Sequence, residues 1–194
     1  MIIYLDRQHA GKPTKISDRG AGSDINGNGK IDTDEMEAMW TGYLSLMLEN
    51  RLLSLGHHVM PLSDGNYSDR HNRVNEYCKL FPKDKQVYIA LHLNCGGGDY
   101  CAMFHHFQSS QGKQLADMIC DEMKKCIPLG GYKSIPAQST DWTEHAYNTI
   151  KGIGKPVAIC SEPIFMDTHK HLISQDNFAK IALAMSTAIH NWGK

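Results

Sequence analysis

Residues 86–94, QVYIALHLN, form a continuous apolar run that closes on a histidine and an asparagine. A run of this length, rich in β-branched and aromatic residues, reads as a buried strand. Two more segments read the same way: IIYLD (2–6) and PVAICSE (156–162). HHVMPL (57–62) is a further strand, and 86–94 leads through a GGG loop into YCAMFHHF (100–107).

Between these lie helical stretches. In EMEAMWTGYLSLMLENRLLSLG (35–56), Met39, Leu44, Leu48, Leu52 and Leu55 recur at spacings of three to five, and Gly56 stands where a C-terminal cap belongs. SDRHNRVNEYCKLF (68–81), GKQLADMICDEMKKCI (112–127) and NFAKIALAMSTAIHNW (177–192) are also helical in pattern. Strands alternating with helices predict an α/β fold, a single domain over 1–194 with a largely parallel or mixed sheet flanked by helices.

Composition narrows the function classes. The 194 residues suffice for one real core, and 41% of them are hydrophobic. A formal net charge of -1 argues against a nucleic-acid or membrane surface. No apolar run approaches the roughly 20 residues that span a bilayer. The opening MIIYLDRQHAG has no basic n-region or cleavage site, so the expectation is synthesis in the cytoplasm without a secretory signal. The six cysteines (78, 95, 101, 120, 126 and 160) lack C-x-x-C spacing and are expected to be free thiols.

The segment SDINGNGKIDTDEME (23–37) fills every position of a twelve-residue calcium loop. Asp24, Asn26 and Asn28 take positions one, three and five, and Gly29 makes the sharp turn. The Lys30 carbonyl, Asp32 and Glu35 take seven, nine and twelve. A polar hairpin is the plainer reading of two Asn-Gly pairs, but a turn does not require Asp24, Asp32 and Glu35 at those offsets. The preceding PTKISDRGAGS (13–23) is poor helix material, so an isolated loop capping the helix after it is expected.

His9 follows the first strand, His92 lies near the end of 86–94, and Glu162 ends 156–162. In open α/β sheets such positions converge at the carboxyl ends of the strands. Two histidines, a carboxylate and a position left for water make a catalytic zinc set.

On these motifs the chain resembles the zinc-dependent N-acetylmuramoyl-L-alanine amidases of the Amidase_3 type. LDRQHAG stands where that family has a strand and a glycine-flanked histidine, with Gln8 and Ala10 in place of glycines. EMEAMW, ALHLN and KPVAICSEPIF follow in the family's order, and NRVNEY (72–77) is similar to its arginine-bearing helix through Arg73. The resemblance implies that His9, a glutamate near the helix start and His92 bind zinc, and that Glu162 is the catalytic acid/base.

Glu35 and Glu37 both fit the glutamate. Two positions apart on a helix they are rotated by about 200° and face opposite ways. The calcium loop claims Glu35, and the interval to Gly56 matches the family better from Glu37, so Glu37 is assigned to zinc. Asn94 and Arg73 are candidates to support the site, and the sequence assigns neither.

The implied activity is hydrolysis of the amide between N-acetylmuramic acid and L-alanine in peptidoglycan, by a monomer that acts on the cell wall or in the periplasm after release. It resembles a bacteriophage endolysin, with a bacterial enzyme of unusual export as the alternative. Residues 128–155 leave little room for an added autoinhibitory helix. The rival readings are another zinc hydrolase, of carboxypeptidase or N-formyl amino-acid amidohydrolase type, and a non-catalytic calcium-dependent wall-binding module.

Overall fold

The structure is a computed structural model that describes residues 1–9 and 19–194. Part of the segment expected to be non-helical, 13–18, lies outside the described residues, as does Ala10.

Six strands form one sheet: β1 (Ile2–Arg7), β2 (His58–Leu62), β3 (Gln86–Leu91), β4 (Cys101–His106), β5 (Tyr132–Ala137) and β6 (Val157–Glu162). Their spatial order is β2-β1-β3-β6-β4-β5. All neighbours are parallel except β4 and β6, so the sheet is mixed. The apolar runs explain its centre: every residue of β3 and β6 is buried, as expected of strands covered on both faces. Both edge strands carry a proline, Pro61 and Pro136, where a missing N–H costs no ladder bond.

Helices α1 (Glu37–Ser54), α3 (Ser110–Lys124) and α5 (Gln175–Gly193) cover one face, packing on Ile3, Leu5, Ile89, Leu91 and Ile159. Helices α2 (Tyr67–Tyr77) and α4 (Glu144–Ile150) cover the other, over Tyr4, Tyr88, Ala90 and Cys160. Alternation along each strand divides the two cores. Within α1 the core stripe is Leu44, Leu48 and Leu52, at successive i+4 steps. Met39 and Leu55 are exposed, against expectation. Leu55 is already the cap residue: Gly56, at φ 80°, and His57 close a Schellman turn by donating to Leu53 and Leu52.

Three expectations need correction. The helix does not begin at residue 35. A 3-10 turn (Thr33–Glu35) precedes Met36, whose extended backbone (φ -90°, ψ 149°) separates Glu35 from α1. Met36 is held extended by an antiparallel bridge to Gly22, and the Glu37 N–H donates to the Ala21 carbonyl at 2.7 Å. Glu35 and Glu37 therefore do not share a helical turn, although they do point into different surroundings.

Second, residues 128–155 hold a strand and a helix, β5 and α4. An edge strand with a proline and a seven-residue helix carry too little periodicity to be seen in sequence. Third, Arg73 pairs with Asp64 on the surface. The buried arginine of α2 is Arg70, 2.9 Å from Asp6 and bonded to Gln8 Oε1 at 3.0 Å. Tyr88 donates to the second oxygen of Asp6. Burial raises the proton affinity of Asp6, and Arg70 with Tyr88 opposes it. All six cysteines are free thiols. Among the described residues no helix is long and apolar enough to cross a membrane.

Candidate metal centre

The parallel strands β1, β3 and β6 end side by side, and the pairing continues past their ends. His92 N–H donates to Ser161 O (2.9 Å), Asn94 N–H to Ile164 O (2.9 Å), and Met166 N–H to Asn94 O (2.8 Å). These bonds fix His92 and Asn94 beside Glu162. His9, just past β1, adopts φ 60°, a left-handed conformation uncommon for non-glycine residues. Such strain gathers at functional sites.

His9, Glu37 and His92 come together, each offering a ligand atom within 4.8 Å of the others. His92 Nδ1 lies 3.0 Å and His9 Nε2 3.4 Å from the same oxygen, Glu37 Oε1. Two metal bonds of about 2.0–2.1 Å at a tetrahedral angle leave their ligand atoms about 3.3–3.4 Å apart. The spacing thus fits a zinc-sized ion held by two imidazoles and a carboxylate. His92 Nε2, on the far side of the ring, is buried without a hydrogen-bond partner.

Glu37 is buried, and four groups meet its carboxylate: His9, His92, Leu93 N–H at Oε1 (2.9 Å) and Ala21 N–H at Oε2 (2.9 Å). Burial alone raises a carboxyl's proton affinity, but the bonds to His9 and His92 outweigh it and hold Glu37 well below the usual carboxylate range. Gly20 cradles this side chain. Its φ is 79°, and a Cβ there would sit 2.8 Å from the Glu37 Cβ. Gly20→Ala is expected to cost roughly 1–3 kcal/mol of stability and to lower zinc content, measured by thermal melting and elemental analysis; an unchanged melt with full zinc would refute the cradle.

Glu162, also buried, lies outside the three-residue cluster. Asn94 Nδ2 donates to its Oε2, and His145 Nε2 lies 3.1 Å from its Oε1. Asn94 therefore supports Glu162, whereas Arg73, tied to Asp64, does not reach it. His145 gave no signal in sequence, because the short α4 that carries it was not recognised. A second histidine, His169, closes the loop after Glu162. It accepts the Phe165 N–H at Nδ1 (2.9 Å), so its proton sits on Nε2 and is donated to Asp99 (2.9 Å).

The loop at 24–35 is closed on itself. Asp24 accepts the N–H groups of Gly27, Asn28 and Gly29 (2.8–3.0 Å), while Asn26 and Asn28 accept those of Asn28 and Lys30. Gly27 and Gly29 take the positive φ values the turn needs. Asp32 receives the side-chain amides of Asn26 and Asn28. Glu35 is buried and turned inward, accepting from Ile25, Asn26 and Asp32 N–H at 2.8–2.9 Å. Lys170 Nζ ties the loop from outside by donating to Asp24 O (2.8 Å).

No protein-family model matches the sequence, and no curated protein matches it in sequence. Solved structures match it in fold. Cwp6 from Clostridium difficile has a TM-score of 0.78 at 16% identity, over 100% of this chain and 29% of its own. The chain thus spans under a third of that protein. The N-acetylmuramoyl-L-alanine amidase from Clostridium difficile 630 has a TM-score of 0.73 at 14% identity, covering 98% of this chain and 95% of its own. The catalytic domain of the CD27L endolysin targeting Clostridia difficile has a TM-score of 0.59 at 17% identity, over 96% and 97%. The fold of this chain is that of solved N-acetylmuramoyl-L-alanine amidases.

Proposed function

We propose that the protein is a zinc-dependent peptidoglycan amidase, cleaving the bond between N-acetylmuramic acid and L-alanine. One observation carries the reading. His9, Glu37 and His92 converge at the strand ends of an amidase-like fold, and a buried carboxylate, Glu162, stands beside them on the neighbouring strand. His9, Glu37 and His92 would hold the metal, with Glu37 offsetting part of its charge. A zinc ion bound there supplies a Lewis acid that polarises a carbonyl and brings the pKa of water toward neutrality.

Glu162 takes a proton from the attacking water and returns it to the leaving amine, and Asn94 fixes the oxygen it touches. Glu37 and both histidines are committed to the metal, so this proton needs a separate base. The likeness to the CD27L endolysin catalytic domain supports reading the enzyme as endolysin-like. Purified peptidoglycan is the test: free lactyl groups with intact stem peptides are expected. Release of terminal amino acids would favour a carboxypeptidase, and binding without turnover a wall-binding module.

The loop at Asp24, Asn26, Asn28, Lys30, Asp32 and Glu35 is read as a calcium site that supports or regulates the zinc centre. Its turn is already shaped, and Glu35 already faces inward. With three carboxylates its affinity is expected at roughly 10⁻⁶ to 10⁻³ M. Coupling to Glu37 runs through extended Met36 and the bridge to Gly22, not through a shared helical turn. Calcium titrated at saturating zinc is expected to raise turnover well below the melting temperature, and Asp24→Ala to abolish that response. A flat titration leaves calcium only the stabilising effect of any native-state ligand.

A further inference from the structure

His145 is the second residue of α4, on the sheet face opposite α1 and α5. Its ring stands between two acceptors. Nδ1 faces the Trp142 carbonyl at 3.2 Å, and Nε2 faces Glu162 Oε1 at 3.1 Å. A neutral imidazole carries one N–H and leaves one acceptor unserved, whereas the imidazolium serves both. Phe104 of β4 meets the ring edge to face at 5.5 Å and keeps it turned toward Glu162. The other oxygen of Glu162 is already held by Asn94.

We infer that His145, as an imidazolium, is the positioning partner of the catalytic glutamate, holding the Glu162 carboxylate aimed before it receives a proton. This rests on Glu162 being the acid/base proposed above. The two side chains suit the division of work: that of Glu162 is 5% exposed and that of His145 is 54% exposed, so the ring keeps contact with solvent while its partner does not. A cationic hydrogen bond from His145 fixes one lone pair of Oε1, leaving another on the same oxygen free.

The bond to Glu162 raises the proton affinity of His145 above its ordinary value, against burial, which lowers it. The groups facing the ring are Glu162 from β6, Phe104 from β4 and Trp142 from its own loop; β5 adjoins α4 through Ala137 in the apolar cluster. Because the folded value is raised, the imidazolium and the stability it brings are fully present below the unfolded value of about 6.5 and are lost as pH rises through the folded value.

Two measurements test the pair. In the first, the His145 ring is titrated by NMR in the parent and in Glu162→Gln. A parent midpoint above about 6.5 that falls in the variant is expected; a midpoint at or below the ordinary value, unmoved by the substitution, overturns the inference. In the second, His145→Ala is assayed on purified peptidoglycan across pH. kcat is expected to fall about 10- to 100-fold, the usual scale for losing the partner that orients a site residue. KM should change little, because His145 touches Glu162 and acts through it. His145→Gln, which keeps a donor without the charge, should recover part of kcat. An unchanged profile in both variants, with Glu162→Gln inactive, refutes the role of His145 alone. Full activity of Glu162→Gln refutes the acid/base reading and the inference with it.

Discussion

Glu162→Gln is expected to lower turnover on purified peptidoglycan by about 10² to 10⁴, the usual cost of losing a general acid/base, while fold and zinc content persist. The amide has nearly the shape of the carboxylate and keeps one oxygen. Asn94 can still donate to that oxygen. His145, once neutral, can accept from the new amide at Nε2 in place of donating to Oε1. One charge-assisted bond is exchanged for a neutral one, so a stability loss of roughly 1 kcal/mol is expected. Zinc should stay because Glu162 is not among the three residues that converge. Turnover, zinc-to-protein ratio and melting temperature, measured together, check the result; near-parental turnover would sink the assignment.

Glu37→Ala should have the other large effect. It removes the oxygen that lies between His9 and His92, and it leaves the Ala21 and Leu93 N–H groups without their acceptor. An abandoned buried donor costs roughly 1–3 kcal/mol, so the variant should melt earlier and retain little zinc after gel filtration. His9→Ala and His92→Ala should lose zinc as well. Glu35→Ala is the control: it strips three N–H groups of the loop of their acceptor but leaves the His9, Glu37 and His92 cluster whole, so zinc content should fall less. Equal loss from Glu35→Ala with none from Glu37→Ala would reverse the assignment of the two glutamates.

The mixed α/β sheet was legible because β1, β3 and β6 are short apolar runs buried on both faces, a pattern few other arrangements produce. The positions of His9, His92 and Glu162 followed from those strands alone. What was lost depended on single residues or on packing. The break at Met36 comes from a bridge to Gly22, which helix propensity cannot register. The choice between Arg70 and Arg73, one helical turn apart, is made by Asp6 on a strand more than sixty positions away. His145 reaches Glu162 only because β5 and α4 exist, and neither had a periodic signature long enough to read.

The strand that carries Glu162 is the last of the six in chain order, yet it lies between β3 and β4 in the middle of the sheet. As the chain emerges during synthesis, β3 and β4 therefore wait with an unpaired edge each. Such edges invite association with other chains. The pairing that closes them spans from Val87 to Val157 and from Ala102 to Glu162, contacts of long sequence separation that form slowly. Sheet closure and arrival of Glu162 are then one event. The same wait exposes two apolar strands, Gln86–Leu91 and Cys101–His106, which adds an aggregation hazard to the nascent chain.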